Sequence, residues 1–280
     1  MENQVLILGS KGMLGGQLIK VFGRGAIGWD REDIDVTDTV NLKSKILNLK
    51  SAPQAVINCV AYNDVDGAEK DPFLAGKLNR QAPRELAQIC KDLSIPLVHF
   101  STNYVFDGEK GEYAEKDLPH PQSVYGETKF QGELEIVKNT NRYYIIRTSV
   151  LFGLSGESKL AKKSFVDLML SLSEKQNTIK VVADEINSLT FAPDLAQAVK
   201  KLLDDKKDFG VYHITNSGQA SWFDFAQEIF RILNKQIVLE PVSAVEFKRT
   251  AKRPKKAVLL NTKLPSMRSW QEALREFLNN

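Results

Sequence analysis

The feature that most constrains the fold of this chain is a glycine-rich turn near its N-terminus. A short apolar run, Val5–Leu8, leads directly into Gly9, Gly12 and Gly15, and helical spacing of apolar residues follows to residue 22. Such a run is typical of a strand buried on both faces. Between strand and helix, the first glycine permits a tight turn, the second lets the backbone approach a pyrophosphate, and the third allows close helix packing. The sequence therefore predicts the first unit of a dinucleotide-binding α/β fold.

The next predicted strand, residues 26–29, is followed directly by two side chains that can bind a ribose. Asp30 and Arg31 lie about 20 residues after Gly9, where this motif places its ribose-binding group. An aspartate accepts a hydrogen bond from a 2′-hydroxyl, whereas an arginine holds a 2′-phosphate. The two residues favour different cofactors, so the sequence leaves both NADH and NADPH open.

Further buried runs alternate with helical spacings along the chain. Strands are predicted at 55–60, 96–100, 143–148 and 210–214, and helices at 39–49, 83–93 and 193–203. This alternation indicates an α/β protein with a doubly wound parallel sheet, whose ligands bind at the carboxyl ends of the strands. After residue 150 the chain becomes a polar loop followed by an amphipathic helix, which indicates the start of a substrate-facing portion.

A pair of side chains at 125 and 129 is the strongest candidate for chemistry. Tyr125 and Lys129 are four residues apart in a predicted helix, so they lie on the same face. A neighbouring ammonium favours the phenolate, and we therefore expect the pKa of Tyr125 to be lowered toward neutrality, as suits a proton donor. Such a pair is weak support alone, because short motifs occur by chance.

A hydroxyl after the predicted strand 96–100 is a possible partner for this pair. Thr102 is placed to donate to a carbonyl oxygen, although an ordinary Ser/Thr turn is the alternative. His99, inside the strand, is expected to be a packed or hydrogen-bonded core residue rather than a catalyst.

Composition narrows the class of protein. No apolar run approaches the ~18 to 20 residues of a membrane span, and the polar start Met1–Gln4 is unlike a signal peptide, so we expect a cytoplasmic protein with no membrane partner. Cys59 and Cys90 are too few for a disulfide framework and lack metal-ligand spacing. Their apolar neighbours predict buried, inert thiols.

A basic segment, Lys248–Lys256, carries six cations in nine residues. A nucleic-acid site would require aromatic interleaving or a known module, and neither is present, so no nucleic-acid partner is expected. A solvated basic surface is one interpretation. The other is that one or two cations, Arg253 above all, neutralise a diphosphate on a substrate.

Seven blocks in order resemble one family, the dTDP-4-dehydrorhamnose reductases of the extended short-chain dehydrogenase/reductase superfamily. The blocks are Gly9–Gly15, Val65-Asp66-x-x-Glu69, Ser101–Gly108, Tyr125-Gly126-x-Thr128-Lys129-x-x-Gly132-Glu133, Arg147-Thr148, Asp194-Leu195-Ala196 and Arg253-Pro254. The resemblance implies a Rossmann-like doubly wound sheet with a smaller C-terminal α/β substrate-binding domain. Residues 1–150 would form the NAD(P)-binding domain, completed by elements within about 190–215, and 151–280 the main substrate-binding portion.

The same resemblance implies an activity and a set of site residues. The activity is reduction of the C4 ketone of a nucleotide-activated deoxysugar by NADPH or NADH, in some members by a homodimer with Mg²⁺ at its interface. The implied catalytic residues are Thr102, Tyr125 and Lys129, with Lys129 also holding the nicotinamide ribose. The implied cofactor-binding residues are Gly9, Lys11, Gly12, Met13, Leu14, Gly15, Asp30, Arg31, Asp35, Val36, Cys59, Ala61, Tyr125 and Lys129. The implied substrate-binding residues are Thr102, Asn103, Val105, Tyr125, Val150 and Arg253.

Departures from the family pattern cluster on the expected substrate side. The tryptophan usual after the Arg147-Thr148 strand is Val150 here, and the Asp-Gln-x-Gly-x-Pro-Thr loop is Asp184–Thr190, with Glu185 in place of glutamine. The Asn-Ala-Ala-Ala segment after the third strand is Asn58–Ala61. Two alternatives stay open: a non-catalytic, NADP-binding regulatory subunit resembling the methionine adenosyltransferase β subunit, and a related sugar-nucleotide epimerase or reductase acting on a different sugar.

Overall fold

A computed structural model describes residues 4–158 and 163–279. Most of the polar start of the chain, residues 1–3, lies outside the described residues. The strands are β1 (Val5–Leu8), β2 (Ala26–Trp29), β3 (Ala55–Asn58), β4 (Leu97–Thr102), β5 (Gly111–Tyr113), β6 (Tyr143–Thr148), β7 (Leu151–Phe152), β8 (Thr178–Val182), β9 (Ile186–Asn187), β10 (Thr190–Phe191), β11 (Gly210–His213), β12 (Ala220–Ser221), β13 (Val238–Val242) and β14 (Lys256–Leu259). The helices are α1 (Met13–Phe22), α2 (Thr39–Leu47), α3 (Val65–Lys70), α4 (Pro72–Gly76), α5 (Ala82–Asp92), α6 (Val124–Asn139), α7 (Phe165–Ser173), α8 (Ala192–Asp204), α9 (Trp222–Ile232) and α10 (Trp270–Asn279).

The main sheet is six-stranded and parallel throughout, in the order β2-β1-β3-β4-β6-β11. Alternate residues of β1 face opposite sides: Val5 and Ile7 pack with α1 and α8, and Leu6 and Leu8 pack with α2 and α5. This double burial explains why the strands are nearly continuous apolar runs. The predicted parallel α/β sheet is confirmed, and β4 extends through Thr102 rather than ending at residue 100.

The rest of the chain builds a second, smaller layer. A four-stranded sheet has the order β12-β9-β14-β5, and two strand pairs, β7 with β10 and β8 with β13, lie beside it. Its core is rich in aromatic rings, with Phe152 in contact with both Phe191 and Phe225. Strand β5 comes from the first half of the chain but pairs with β14, so it ties the two halves together.

Among the described residues, no helix combines the length and the apolar character needed to cross a bilayer. The prediction of buried thiols is confirmed for Cys90 and only in part for Cys59. Cys90 is fully buried and Cys59 is half-buried, and burial raises the pKa of both thiols. Neither thiol is therefore poised to react as a thiolate at neutral pH.

The glycine-rich turn brings helix α1 very close to the end of β1. Gly9 has a φ of +77°, which only glycine adopts without strain. A Cβ atom at Gly15 would lie 2.0 Å from the carbonyl oxygen of Gly9, whereas one at the next residue, Gly16, would have only Ser10 O near it, at 3.9 Å. Adjacent glycines of the same helix thus have opposite roles: Gly15 is required by close packing and Gly16 is not.

This contrast gives a matched pair of variants. Gly15→Ala should lower the free energy of unfolding by at least about 1–3 kcal/mol, because the new methyl group overlaps backbone atoms that cannot easily move. Gly16→Ala should instead raise it by up to about 1 kcal/mol, since alanine is the better helix former. Urea denaturation of both variants checks this. Equal effects in the two variants would contradict the close approach described here.

Candidate active site

The carboxyl ends of β1, β3 and β4 meet at one edge of the main sheet. The amides of Gly9 and Ser10 donate to Trp29 O at 2.8 and 3.1 Å, and Cys59 N donates to Leu8 O at 2.9 Å. These bonds hold the glycine-rich turn beside the loop after β3. The order of the strands reverses between β1 and β3, which is where open α/β sheets bind their ligands.

The N-terminus of α1 is suited to a pyrophosphate. No side chain of the described residues caps this helix, although Ser123, Ser164 and Ser221 cap α6, α7 and α9. Its first turn also contains no acidic residue. Free amides and the positive end of the helix dipole favour an anion at this point. The predicted positions Gly12, Met13 and Leu14 lie here, and the chemistry of the turn suits the diphosphate of a dinucleotide. Gly156, in the loop after β7, packs against the backbone of Gly12 and Met13.

Asp30 is held by backbone amides. Its two carboxylate oxygens accept hydrogen bonds from Lys11 N at 2.9 Å and Arg31 N at 2.8 Å, and its side chain is buried. Asp30 therefore fastens the glycine-rich turn to the end of β2. Arg31 beside it is exposed, and the Lys11 ammonium nearby pairs with Glu32.

Four further residues implied as cofactor contacts differ in exposure. Asp35 is exposed, and hydrogen bonds from Thr37 lower the pKa of its carboxyl. Val36 packs in the core against the sheet, so its side chain is a core residue. Cys59 and Ala61 are half-buried in the loop after β3, beside the glycine-rich turn.

Helix α6 carries the tyrosine and the lysine, and its N-terminus is fixed by two side chains. Ser123 Oγ accepts from Gly126 N at 3.2 Å, and Glu69 Oε1 accepts from Val124 N at 2.8 Å. Both groups satisfy amides that the first turn of a helix leaves free. The Glu69 of the Val-Asp-x-x-Glu block thus positions Tyr125 in the first turn of α6.

Close packing fixes the rest of this helix. A Cβ atom at Gly126 would lie 2.3 Å from Tyr104 O, and one at Gly132 would lie 2.1 Å from Asn79 O. Asn79 is fully buried in a π-helical turn, residues 77–81, and its side chain bonds Thr128 Oγ1 and both the amide and the carbonyl of Tyr62. Sequence reasoning missed Asn79, because an asparagine inside a helical pattern gives no signal of a π-turn.

Tyr125 lies beside Thr102, the last residue of β4. The two hydroxyls are close enough for Thr102 to affect the pKa of Tyr125, and Thr102 Oγ1 accepts from Tyr104 N at 3.2 Å. Burial raises the pKa of Tyr125, while the Thr102 hydroxyl acts in the opposite direction. The expected lowering by Lys129 is therefore wrong here, because the ammonium points elsewhere. A phenol that keeps its proton at neutral pH remains suited to donate it.

Lys129 is buried and points into the sheet. Its Nζ donates to Phe100 O at 2.5 Å and lies 3.3 Å from His99 Nε2. Burial lowers the pKa of Lys129 to about 8, against an opposing effect of Glu133. His99 is fully buried and hydrogen-bonded, as the sequence predicted, and burial together with Lys129 holds its pKa well below the usual value.

A buried ion pair anchors α6 to the sheet. Arg147 on β6 donates to Glu133 with Nη2 at 2.7 Å and Nε at 3.0 Å, and both side chains are 4% exposed. Ser101 Oγ also donates to Glu133. The Glu133 and Arg147 of the sequence motifs are thus partners of one another.

Two of the residues expected to bind substrate have side chains that are buried in the protein. Val105 is fully buried in a cluster with Phe106, Tyr113 and Leu259, so its side chain is a core residue. Its expected contact with substrate stays a prediction. Asn103 is also buried, and its amide donates to Asn187 Oδ1 at 2.8 Å and Ala257 O at 3.1 Å. It joins the main sheet's loop to the second layer.

Val150 has an unusual backbone conformation. Its φ is +37°, which is rare for a β-branched residue, and its carbonyl accepts from Thr190 N at 3.1 Å. The side chain is half-buried against the aromatic core of the second layer. The position expected to face a sugar is thus held by a strained turn between β6 and β7.

Carboxylates hold much of the basic segment. Arg253 Nη2 donates to Asp66 Oδ2 at 2.7 Å, and the amides of Thr250 and Ala251 both donate to Asp66 Oδ1 at 2.9 Å. The hydrogen bond from Arg253 lowers the pKa of Asp66 to about 2. Arg249 donates to Glu185 at 2.6 Å. Part of this positive charge is therefore compensated within the chain.

Sequence reasoning also missed a polar cluster beside the tyrosine. The rings of Tyr104 and Tyr125 meet edge to face at 5.6 Å. Burial raises the pKa of Tyr104 to about 12, and the charges of Arg253, Glu185 and Arg249 also act on it. Glu185 accepts from Trp222 Nε1 at 3.1 Å as well. The glutamate noted as a departure from the family thus lies in a neutralised cluster near Tyr125.

Among residues 4–158 and 163–279, no group of three or more His, Cys, Asp or Glu side chains converges as metal ligands would. The Mg²⁺ ion at a dimer interface that the family resemblance implies stays a prediction.

The chain is similar over its whole length to proteins of known family. It matches the family described as RmlD substrate binding domain over residues 3–280. It is 36% identical over 284 residues to a probable dTDP-4,6-dihydroxy-2-methyloxan-3-one 4-ketoreductase of Streptomyces antibioticus, covering 97% of this chain and 93% of the relative. It is 34% identical over 288 residues to a dTDP-4-dehydrorhamnose reductase of Streptomyces griseus, covering 97% and 91%.

A solved structure agrees with these relatives. The crystal structure of dTDP-4-dehydrorhamnose reductase from Bacillus anthracis strain Ames, in complex with NADP, superposes with a TM-score of 0.94 at 34% identity, covering 100% of this chain and 99% of that chain. The chain therefore belongs to the RmlD substrate binding domain family, which is the dTDP-4-dehydrorhamnose reductase family that its motifs resemble.

Proposed function

We propose that this chain is an NADPH-dependent oxidoreductase that reduces the C4 ketone of a dTDP-activated deoxysugar. The observation that carries this proposal is the neighbouring pair of hydroxyls, Thr102 and Tyr125, at the carboxyl edge of a parallel α/β sheet. Relatives named as reductases of dTDP-ketosugars, with coverage of nearly the full chain, support the same chemistry.

Thr102 and Tyr125 together can receive a ketone oxygen. Two hydroxyls directed at one oxygen stabilise the negative charge that develops there when the carbonyl carbon is reduced. A reduced nicotinamide, when bound, supplies the hydride for that carbon. Tyr125 then gives its proton to the alkoxide oxygen, which its raised pKa allows because the phenol is protonated at neutral pH.

The proposed position of the cofactor is based on the N-terminus of α1, which no side chain of the described residues caps. Gly12, Met13 and Leu14 would hold its diphosphate, and Lys129 lies farther along the same edge of the sheet, where the nicotinamide half belongs. The sugar nucleotide would lie over Tyr104 and Tyr125, with Arg253 and Val150 on its flanks. The changed loop at Asp184–Thr190 borders the same region, so the identity of the sugar depends on it.

NADPH is the proposed cofactor because of the surroundings of residues 30 and 31. Both oxygens of Asp30 accept backbone amides, so this carboxylate has a structural role in holding the glycine-rich turn. Arg31 is exposed next to it, with Lys11 nearby. A guanidinium in this place recognises a 2′-phosphate. The NADP complex of the Bacillus anthracis relative agrees with this choice.

We further propose a cytoplasmic homodimer, as the family resemblance implies. Size-exclusion chromatography with light scattering, with and without EDTA, tests both the assembly and any dependence on Mg²⁺. A monomer under both conditions would contradict the dimer without affecting the proposed reaction.

The proposed proton donor is tested by Tyr125→Phe. The variant should lower kcat by about 10²- to 10⁴-fold, the usual contribution of a positioned general acid, because it lacks the phenolic hydroxyl that gives the proton. Affinity for NADPH should change less than about threefold, since the diphosphate site on α1 is untouched. Stopped-flow NADPH oxidation with a dTDP-4-keto-6-deoxysugar measures kcat. Tyr143→Phe, at the far end of β6, is the control and should be neutral. A Tyr125→Phe enzyme with near-normal kcat would refute the assignment.

The proposed cofactor preference is tested by Arg31→Ala. Losing a charge-assisted bond to the 2′-phosphate should weaken NADPH binding by about 10- to 100-fold and leave NADH binding nearly unchanged. The control is Arg24→Ala, which removes another exposed arginine of equal charge after α1. Fluorescence titration with both cofactors measures the dissociation constants. Equal losses for NADPH and NADH in Arg31→Ala would place the 2′-phosphate elsewhere.

A further inference from the structure

A buried chain of three polar side chains runs beneath the proposed active site. Asn58 ends β3, His99 lies in β4, and Lys129 reaches down from α6. Asn58 is 1% exposed, His99 0% and Lys129 2%, so water does not compete for their hydrogen bonds. Each bond in the chain therefore restricts the protons of the next group.

The orientation of the Asn58 amide is fixed by the backbone. Val60 N donates to Asn58 Oδ1 at 3.0 Å, and an amide nitrogen can only donate. The oxygen of Asn58 must then face Val60, which directs its NH₂ group toward His99 Nδ1, 3.1 Å away.

This orientation decides the tautomer of His99. An NH₂ donor facing Nδ1 requires a lone pair on that nitrogen, so a neutral imidazole carries its proton on Nε2. Burial and the nearby lysine hold the pKa of His99 well below its usual value, so the ring is neutral. The proton on Nε2 faces Lys129 Nζ at 3.3 Å.

An N–H directed at a lysine favours the amine over the ammonium. An ammonium has three donors and no acceptor, so it gains nothing from a facing N–H, whereas a neutral amine offers a lone pair. Phe100 O accepts from Lys129 in either state. We propose that Asn58 and His99 are positioning residues that lower the proton affinity of Lys129 by fixing the Nε2–H tautomer of His99.

Other charged groups near Lys129 do not provide the same effect. Glu133, one turn farther along α6, raises its pKa, and Arg147 compensates that carboxylate from β6. Three charged side chains on the elements packed against α6 have partners of their own. These are Asp66 with Arg253, Glu69 with the amide of Val124, and Arg80 with Glu135. The net pKa of Lys129, about 8, is consistent with a group that loses its charge at mildly alkaline pH.

The inference rests on the proposed function only where it predicts how activity depends on pH. If Lys129 assists the reduction as an ammonium, activity should fall as pH rises through its pKa. The tautomer itself belongs to the chain alone and needs neither cofactor nor turnover.

The direct test is the proton position on His99. The chain has three histidines, so selective ¹⁵N labelling of histidine gives three pairs of ring signals, and His120→Gln removes those of the exposed ring. His213 provides an internal reference with the opposite tautomer. Its Nδ1 lies 3.1 Å from Leu260 O, a carbonyl that can only accept a hydrogen bond, so Nδ1 must carry the proton. Long-range ¹H–¹⁵N spectra should show the proton of His99 on Nε2 and that of His213 on Nδ1. A proton on Nδ1 of His99 would overturn the proposal.

The second test reverses the tautomer with Asn58→Asp. A carboxylate still accepts from Val60 N but also accepts from His99 Nδ1–H, which leaves the Nε2 lone pair to accept from the ammonium. The His99 proton should move to Nδ1. The alkaline limb of the pH profile, where kcat/KM falls as Lys129 loses its proton, should move to higher pH by about one unit or more. A moved proton with an unshifted limb would overturn the claim on Lys129.

Asn58→Ala separates the tautomer from the added charge. It removes the fixed donor without introducing a carboxylate, so the limb should shift in the same direction by a smaller amount, and His213 should be unchanged in both variants. No shift in Asn58→Ala, beside a large one in Asn58→Asp, would attribute the effect to charge alone and overturn the proposed role of the tautomer.

Discussion

The ion pair between Glu133 and Arg147 determines where the chemistry of this protein lies. It is buried under helix α6 and completed by Ser101, so it fixes α6 against β4 and β6 at one point along its length. Breaking such a pair leaves a buried charge unpaired, which typically costs about 3–5 kcal/mol. Toward the N-terminus of the same helix, Lys129 and Tyr125 follow at successive turns. Their positions opposite Phe100 and Thr102 therefore depend on this anchor.

Close backbone contacts make the same arrangement rigid. Gly132 lies against Asn79, Gly126 lies against Tyr104, and Gly15 lies against Gly9. A side chain at any of these positions would push the helix away from its neighbour. The spacing of glycine, tyrosine and lysine in the motif of α6 is thus a packing requirement as much as a chemical one, since Gly126 and Gly132 let the helix approach its neighbours.

The sequence predicted the parallel sheet, the glycine-rich turn and the helix that carries Tyr125 and Lys129, because periodicity and local spacing encode them directly. It did not predict groups defined by contacts distant in the chain. Asn79 acts through Tyr62 and Thr128, and Val105 is a core residue because β14 covers it, which no local pattern indicates. The direction of the Tyr125 pKa was wrong for a similar reason, since adjacency on a helix face does not show that Lys129 points into the sheet.

The central claim is that hydride reaches C4 of a dTDP-ketosugar in the site formed by Thr102 and Tyr125. The most direct measurement is incubation of the chain with NADPH deuterated at the transferring C4 position and a dTDP-4-keto-6-deoxysugar, followed by NMR and mass spectrometry of the product. The account predicts one deuterium on C4 of the sugar, with the dTDP group intact. Oxidation of the cofactor without deuterium at C4, or no reaction with any dTDP-4-ketosugar, would contradict it.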